Sequence, residues 1–127
     1  MLNNFTNIEF SCSDVFEFLR SDRNFYDMII LDPPSFTRSK REVFDALRGY
    51  KEVNLQAMKR LKKGGILVTT CCSYHIDEAN FYKVLRQAAL DARVNLRVIG
   101  RAIQSPDHPI VLNMPESFYL KAFYLLK

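Results

Sequence analysis

Cysteine, glycine and long apolar runs are all scarce in this sequence. Its three cysteines are an odd number, and Cys71 and Cys72 are adjacent, so they do not form the framework of a disulfide-rich protein. A reducing cytoplasm is therefore the expected compartment. No spacing of cysteine and histidine indicates a structural zinc site, so no metal is predicted. The longest apolar run, residues 28–31, is far too short to span a membrane, and no membrane partner is expected.

The composition is that of an ordinary globular domain. The 127 residues suit one domain, with 48% hydrophobic and 25% charged side chains. A formal net charge of +4 and an isoelectric point of about 9.1 permit nucleic acid as a partner. Because many proteins without such a partner carry a similar charge, composition by itself does not decide between the two possibilities.

Strand-like and helical patterns alternate along the chain. The predicted strands are residues 8–10, 28–31, 66–70, 96–103 and 118–126, and the predicted helices are residues 14–20, 42–62 and 77–93. Gly64 and Gly65 are predicted to end the second helix. The alternation predicts an α/β sheet with right-handed crossovers. No helix separates the last two strands, which indicates an antiparallel pair at the end.

Two of the predicted strands end in residues that can do chemistry. The strand at 28–31 runs into residues 32–36 (Asp-Pro-Pro-Ser-Phe), and the strand at 66–70 runs into residues 71–75 (Cys-Cys-Ser-Tyr-His). Ligands in open α/β sheets bind beyond the carboxyl ends of the strands. If the two strands are neighbours, both loops open on the same rim of the sheet.

Each of these residues has a chemical and a structural interpretation. The Asp32 carboxylate can accept hydrogen bonds from a nucleobase and the Phe36 ring can stack on one, but Asp-Pro is also a common turn opener. Cys72 can act as a thiolate nucleophile, although an isolated cysteine is usually a small buried hydrophobe. Side chains alternate across a strand, so one of Cys71 and Cys72 is expected to face the packing and the other the rim.

The remaining polar candidates are histidines and basic residues. His75 and His108 are possible acid–base groups, but such histidines more often make structural hydrogen bonds. A basic set along the loop and the following helix can contact RNA phosphates, or it can be a solvated surface. This set comprises Arg38, Lys40, Arg41, Arg48 and Lys51.

Five segments, in this order, carry a resemblance to a known family. They are residues 32–36, 47–51 (Leu-Arg-Gly-Tyr-Lys), 71–73 (Cys-Cys-Ser), 107–109 (Asp-His-Pro) and 119–121 (Tyr-Leu-Lys). Together they resemble the bacterial large-subunit rRNA 5-methylcytosine methyltransferases, over essentially the whole chain. That family has an N-terminal PUA domain and a C-terminal Rossmann-like domain of the class I S-adenosylmethionine-dependent type. A related branch methylates guanine N7 and lacks the cysteine, so the pair Cys72 and Ser73 favours cytosine.

The resemblance implies roles for individual residues. The target cytosine is flipped from its stack, Cys72 attacks C6, and Asp32 hydrogen-bonds the cytosine ring. Cys71 matches a position where the family tolerates other small residues and is taken as structural. Asp14 matches a contact to the adenine of S-adenosylmethionine, with Val15 as its apolar neighbour. Cofactor contacts are also expected from Asp32 and Pro33, and substrate contacts from Pro34, Phe36, Arg38, Arg48 and Lys51.

The resemblance also defines what is missing. The family's glycine-rich cofactor loop lies upstream of these motifs, and no glycine precedes Gly49 here. We therefore expect the C-terminal part of a methyltransferase domain, inactive by itself, that supplies strands three to seven of the order 3-2-1-4-5-7-6. The strand at 28–31 would then have an exposed apolar edge, which predicts that the isolated chain repacks, forms a homodimer along that edge, or derives from a longer protein. Two alternatives remain, a methyltransferase for another base or a small molecule, and a non-catalytic α/β module that binds RNA or a partner chain.

Overall fold

The computed structural model of the chain describes residues 4–37 and 39–127. The helices and strands are, in chain order, α1 (Val15–Ser21), β1 (Tyr26–Leu31), α2 (Val43–Arg60), β2 (Leu61–Cys71), α3 (Glu78–Ala92), β3 (Arg97–Ala102) and β4 (Lys121–Leu126). Two single turns of 3-10 helix, Lys40–Glu42 and Pro115–Ser117, lie in the loops.

The sheet has the strand order β1-β2-β4-β3. β1 pairs with β2 in parallel, and β4 pairs antiparallel with both β2 and β3. This arrangement corresponds to the predicted order 4-5-7-6, and it confirms the partial Rossmann-like α/β fold with an antiparallel end. The strand predicted at Ile8–Phe10 is wrong, because these residues are exposed and pair with no strand of the described sheet. In the order 3-2-1-4-5-7-6 the partner of that strand would be strand two, which has no counterpart in the described sheet.

One face of the sheet is covered by helices, and this is where the core lies. Alternate residues of β2 and β4 point to this face and are buried, among them Leu67, Phe123 and Leu125. They pack against α2 and α3, whose apolar residues recur every three or four positions. The rings of Tyr50 in α2 and Phe81 in α3 are fully buried with centroids 5.6 Å apart, so they join the two helices.

The helix ends follow local capping chemistry. The Asp14 carboxylate accepts hydrogen bonds from two N–H groups of the first turn of α1, and the Asp77 carboxylate accepts one at the start of α3. Arg93 closes α3 in the left-handed conformation, with its N–H donating to carbonyl groups of the last turn. The predicted bounds of α1 and α3 are confirmed to within a residue at each end.

The predicted role of Gly64 and Gly65 is wrong. α2 already ends at Arg60, because Leu61 is extended, buried and paired with Tyr26, so the two glycines lie inside β2. Gly64 has φ of 79°, a conformation that favours glycine. A Cβ atom on Gly65 would lie 3.0 to 3.2 Å from three backbone carbonyl oxygens, so the close passage of the chain here requires glycine.

The opposite face and the β1 edge of the sheet are apolar and open. Met28 is 52% exposed and Ile30 66% exposed on the face away from the helices. β1 is the edge strand of the described sheet, as the exposed-edge prediction requires. Pairing of this edge with a second chain remains a prediction. The described residues contain no helix that combines the length and the hydropathy of a membrane span.

Candidate active site

The loops after β1 and β2 lie side by side at one rim of the sheet, as predicted for neighbouring parallel strands. Three side-chain contacts join the two loops. The Thr70 hydroxyl donates to Asp32 Oδ1 at 2.7 Å, and the Cys72 thiol donates to the Pro33 carbonyl at 3.7 Å. The third contact joins the hydroxyl groups of Ser35 and Ser73 at 2.8 Å. The exposed carboxylate of Asp32 and the thiol of Cys72 are therefore held at the same edge.

The alternation of side chains separates the two adjacent cysteines. Cys71 is the last residue of β2, is completely buried and belongs to the core. Cys72 follows it and is only half-buried, beside the Pro33 carbonyl. Burial, followed by the effect of Cys71, raises the pKa of the Cys72 thiol above its ordinary value. The side chain at the rim is thus the one to which the family resemblance gives the nucleophilic role.

Ser73 connects the rim to the core. Its hydroxyl lies 3.0 Å from the Tyr50 hydroxyl as well as 2.8 Å from that of Ser35, and the Ser73 side chain is buried. Burial raises the pKa of Tyr50 well above its ordinary value, so Tyr50 is a neutral phenol that can donate. Neither Ser73 nor Tyr50 was expected to support the rim, because the two residues are 23 positions apart and no local pattern predicts their contact.

Lys121 was also missed, although it lies in one of the segments that carry the resemblance. It is the first residue of β4, it pairs with Cys71 in the sheet, and it is only 4% exposed. Its ammonium group donates to the carbonyl oxygens of Ser73 at 2.6 Å and Tyr119 at 2.9 Å. A signal was present in the sequence, because strand periodicity places residue 121 on the same face as the buried Phe123 and Leu125.

Asp14 and Val15 lie at the start of α1. Oδ1 of Asp14 accepts the capping hydrogen bonds from Phe16 and Glu17, and Oδ2 accepts none from the described residues. Val15 is 39% exposed and, with residues 11, 13 and 18, lines a shallow cleft of about 230 Å³. Two serines and two apolar side chains line the cleft, and Asp14 itself is not part of its lining. The predicted contacts of Asp14 and Val15 to the cofactor remain predictions.

The predicted substrate residues occupy different environments. Pro34 is exposed at the rim. Phe36 is half-buried, and its ring packs against the rings of Tyr50 and Phe16, with centroid distances of 4.6 and 6.0 Å. Gly49 allows this packing, since a Cβ atom there would lie 3.2 Å from the Phe36 ring. Phe36 therefore contributes to the wall under the rim rather than offering an open stacking surface.

Two of the three predicted basic contacts, Arg48 and Lys51, lie on α2. Arg48 is exposed on α2. Lys51, about one turn further, forms an ion pair of 2.7 Å with Asp91 near the end of α3. Arg38 lies outside the described residues. The ion pair of Lys51 agrees with the solvated-surface interpretation, and RNA contacts of Lys51, Arg48 and Arg38 remain predictions.

In the described part of the chain, neither histidine belongs to a cluster of metal-ligating side chains. Residues 4–37 and 39–127 contain no cluster of three or more histidine, cysteine or acidic side chains that could bind one. His108 Nδ1 lies 2.9 Å from the Tyr119 hydroxyl in the loop between β3 and β4, and the ring of His75 packs edge-on against Tyr74. These contacts agree with the structural interpretation of both histidines.

The class of fold is that of S-adenosylmethionine-dependent methyltransferases. A candidate S-adenosylmethionine-dependent methyltransferase from Streptococcus mutans superposes with a TM-score of 0.73 and 22% identity, covering 91% of this chain and 30% of that one. A second candidate methyltransferase, solved in complex with SAH, gives a TM-score of 0.69 and 23% identity over 88% of this chain and 29% of the other. No family model matches the chain.

Similarity in sequence is more specific. The chain is 46% identical over 120 residues to ribosomal RNA large subunit methyltransferase I of Photobacterium profundum, and 44% identical over 118 residues to that of Aliivibrio fischeri. These matches cover 92% and 91% of this chain, and the chain spans about 30% of the length of each relative. The predicted resemblance to large-subunit rRNA methyltransferases is therefore confirmed.

The burial of Cys72 predicts how its alkylation depends on pH. Because only the thiolate reacts and the pKa is raised, the rate with iodoacetamide should increase about tenfold per pH unit between roughly pH 7 and pH 9. The cysteine thiol of a short unstructured peptide with blocked ends should reach its plateau at lower pH. Fragment ions of the modified peptide distinguish Cys72 from the adjacent, buried Cys71, which should not react in the folded chain. A plateau for Cys72 at or below that of the free thiol would contradict the prediction.

Proposed function

We propose that this chain is the target-base part of an S-adenosylmethionine-dependent methyltransferase domain that acts on large-subunit rRNA, and that the methylated atom is C5 of cytosine. The single observation that carries the proposal is the placement of the Cys72 thiol beside the Asp32 loop at the carboxyl ends of two parallel strands. The identity of 42–46% to ribosomal RNA large subunit methyltransferases supports the substrate class. The SAH-bound structure with a similar fold supports the methyl donor.

The chemistry assigns one task to each side chain. The Cys72 thiolate adds to C6 of cytosine, and the electron pair of the C5–C6 double bond makes C5 nucleophilic. When bound, S-adenosylmethionine supplies an electrophilic methyl group to C5 and leaves as S-adenosylhomocysteine. Loss of the C5 proton to solvent water then re-forms the C5–C6 double bond while the C6–S bond breaks, which releases Cys72 as a thiolate. Asp32 hydrogen-bonds the ring of the cytosine, where it favours the addition of Cys72.

The residues present fit one part of the cofactor site. Asp14 and Val15 at the start of α1 would hold the adenine, with Oδ2 of Asp14 as the hydrogen-bond acceptor. Asp32 and Pro33 would contact the end of the cofactor that faces the target base. The rRNA is the proposed partner, and Pro34, Arg38, Arg48 and Lys51 are the side chains proposed to contact it.

A chimera with a full-length relative tests the proposal. The matched 120 residues of the Photobacterium profundum relative would be replaced by this chain, and methyl transfer from radiolabelled S-adenosylmethionine to deproteinised large-subunit rRNA would be measured. We expect the label in 5-methylcytidine after digestion to nucleosides. Label in another nucleoside would overturn the cytosine assignment. A folded chimera that binds S-adenosylmethionine but transfers nothing would instead indicate a non-catalytic module.

A further inference from the structure

A buried lysine underlies the turn that carries Cys72. Lys121 begins β4 directly opposite Cys71, on the face of the sheet that the helices cover, and is only 4% exposed. Lysine is almost never buried to this degree without partners, because desolvation of the ammonium group is unfavourable. Its position in the core therefore requires a structural or chemical explanation.

The partners of Lys121 belong to the rim. Its Nζ atom donates to the Ser73 carbonyl at 2.6 Å, which fixes the backbone immediately after Cys72, and to the Tyr119 carbonyl at 2.9 Å. The Ser73 hydroxyl meanwhile contacts that of Ser35 in the loop after β1. The turn is thus held from below by Lys121 and from the side by Ser35, and both contacts set where the Cys72 thiol lies.

The charges that act on Cys72 have opposite signs. Cys71 and the Asp32 carboxylate both raise the pKa of its thiol, whereas Lys121 lowers it. Burial lowers the pKa of Lys121 itself, whereas Cys71, Cys72 and Asp77 raise it. Tyr50, which also contacts the turn through Ser73, is a neutral phenol. A protonated Lys121 thus favours a thiolate at position 72, whereas the Asp32 carboxylate opposes it.

We propose that Lys121 is a positioning residue that holds the Cys72–Ser73 turn in register with the Asp32 loop and supplies the positive charge that favours the thiolate form of Cys72. This role deepens the proposed function and rests on it, since it gives Lys121 a place in the reaction only if Cys72 is the nucleophile. In this role the charge of Lys121 offsets the unfavourable effect of the Asp32 carboxylate on the thiolate form of Cys72.

The chain contains a matched control for this proposal. Lys127 lies just after the other end of the same strand, and its Nζ donates to two backbone carbonyls, those of Met58 at 3.1 Å and Leu61 at 2.7 Å. Burial lowers its pKa as well. It thus makes the same kind of contact as Lys121, but it lies at the opposite end of β4 from Cys72. Replacement of Lys127 tests the general effect of losing a carbonyl-bound lysine.

The experiment measures Cys72 alkylation by iodoacetamide against pH in the full 127-residue chain. Lys121→Met should move the profile to higher pH and reduce the rate at about pH 8 by roughly tenfold, as expected for loss of a nearby opposite charge. Lys127→Met should change the rate by less than about twofold. Lys121→Arg, which keeps the charge, should stay closer to the unmodified chain than Lys121→Met does. Equal profiles for Lys121→Met and the unmodified chain would overturn the proposal.

A second measurement needs no substitution, in case Lys121→Met does not fold. Coupling between two sites is reciprocal, so alkylation of Cys72 in the unmodified chain should lower the pKa of Lys121. Nitrogen NMR of Nζ measures this pKa. An unchanged titration of Lys121 would reject the proposed charge interaction. Neither measurement uses S-adenosylmethionine or RNA, so both outcomes are independent of the proposed function.

The chimera then distinguishes failure of this inference from failure of the proposed function. A chimera with the unmodified segment that makes no 5-methylcytidine would refute the function, whatever the alkylation data give. In an active chimera, Lys121→Met should lower kcat with little change in KM and move the pH–rate profile to higher pH. An active chimera whose pH–rate profile does not change with Lys121→Met would refute the role of Lys121 alone.

Discussion

Replacement of Cys72 by alanine should reduce methyl transfer in the chimera by roughly 10³-fold or more, to the level of the background reaction. Without covalent addition at C6, C5 of cytosine is too weakly nucleophilic to take the methyl group, and the neighbouring thiol of Cys71 is buried away from the rim. Binding of S-adenosylmethionine should remain, because the proposed adenine contacts, Asp14 and Val15, lie at the start of α1 rather than in the Cys72 turn. The measurement is 5-methylcytidine formation together with calorimetry of cofactor binding.

The adjacent cysteine provides the matched control. Cys71→Ala removes a thiol of the same size one residue away, but from a completely buried position in the core. We expect a modest loss of stability and retained formation of 5-methylcytidine. If Cys72→Ala keeps its activity while Cys71→Ala loses it, the nucleophile has been assigned to the wrong residue. If both retain activity, neither of these cysteines is the nucleophile.

The rim was predictable because local sequence determines it. A continuous apolar run that ends in Asp-Pro-Pro must stop as a strand at Leu31, and the second run, rich in β-branched residues, ends at Cys71. Parallel pairing of these two strands then brings both loops to one edge, and the contact of Thr70 with Asp32 is a direct consequence. Strand periodicity predicted that one cysteine would be buried, and only the register of β2 against β4 decides that it is Cys71.

The support beneath the rim was not predictable, because it depends on contacts between residues far apart in sequence. Ser35, Tyr50 and Ser73 come from three different segments, and no local pattern places the Ser73 hydroxyl within 3.0 Å of the other two. Phe36 was expected to stack on a base, but packing of α2 against the sheet places its ring against Tyr50. The strand expected at residues 8–10 failed for a related reason, since a strand exists only where another strand can pair with it.

Replacement of Phe81 by alanine should destabilise the chain by about 3–5 kcal/mol, a large part of the roughly 5–15 kcal/mol typical of a domain. Phe81 is completely buried in α3, and its ring packs against Tyr50 at 5.6 Å and Phe123 at 5.9 Å between centroids. Removal of the ring leaves a cavity between both helices and the sheet. Urea unfolding followed by circular dichroism measures the change in the free energy of unfolding.

The neighbouring residue separates cavity formation from a general effect on the helix. Tyr82 is 49% exposed and its ring also lies near Phe123, at 5.8 Å, so Tyr82→Ala removes an aromatic side chain from α3 without emptying the core. We expect a loss below about 1 kcal/mol for this variant. Because Phe81 supports the ring of Tyr50, whose hydroxyl contacts Ser73, Phe81→Ala should also loosen the turn that carries Cys72. Equal losses of stability for the two variants would show that the core is not centred on Phe81.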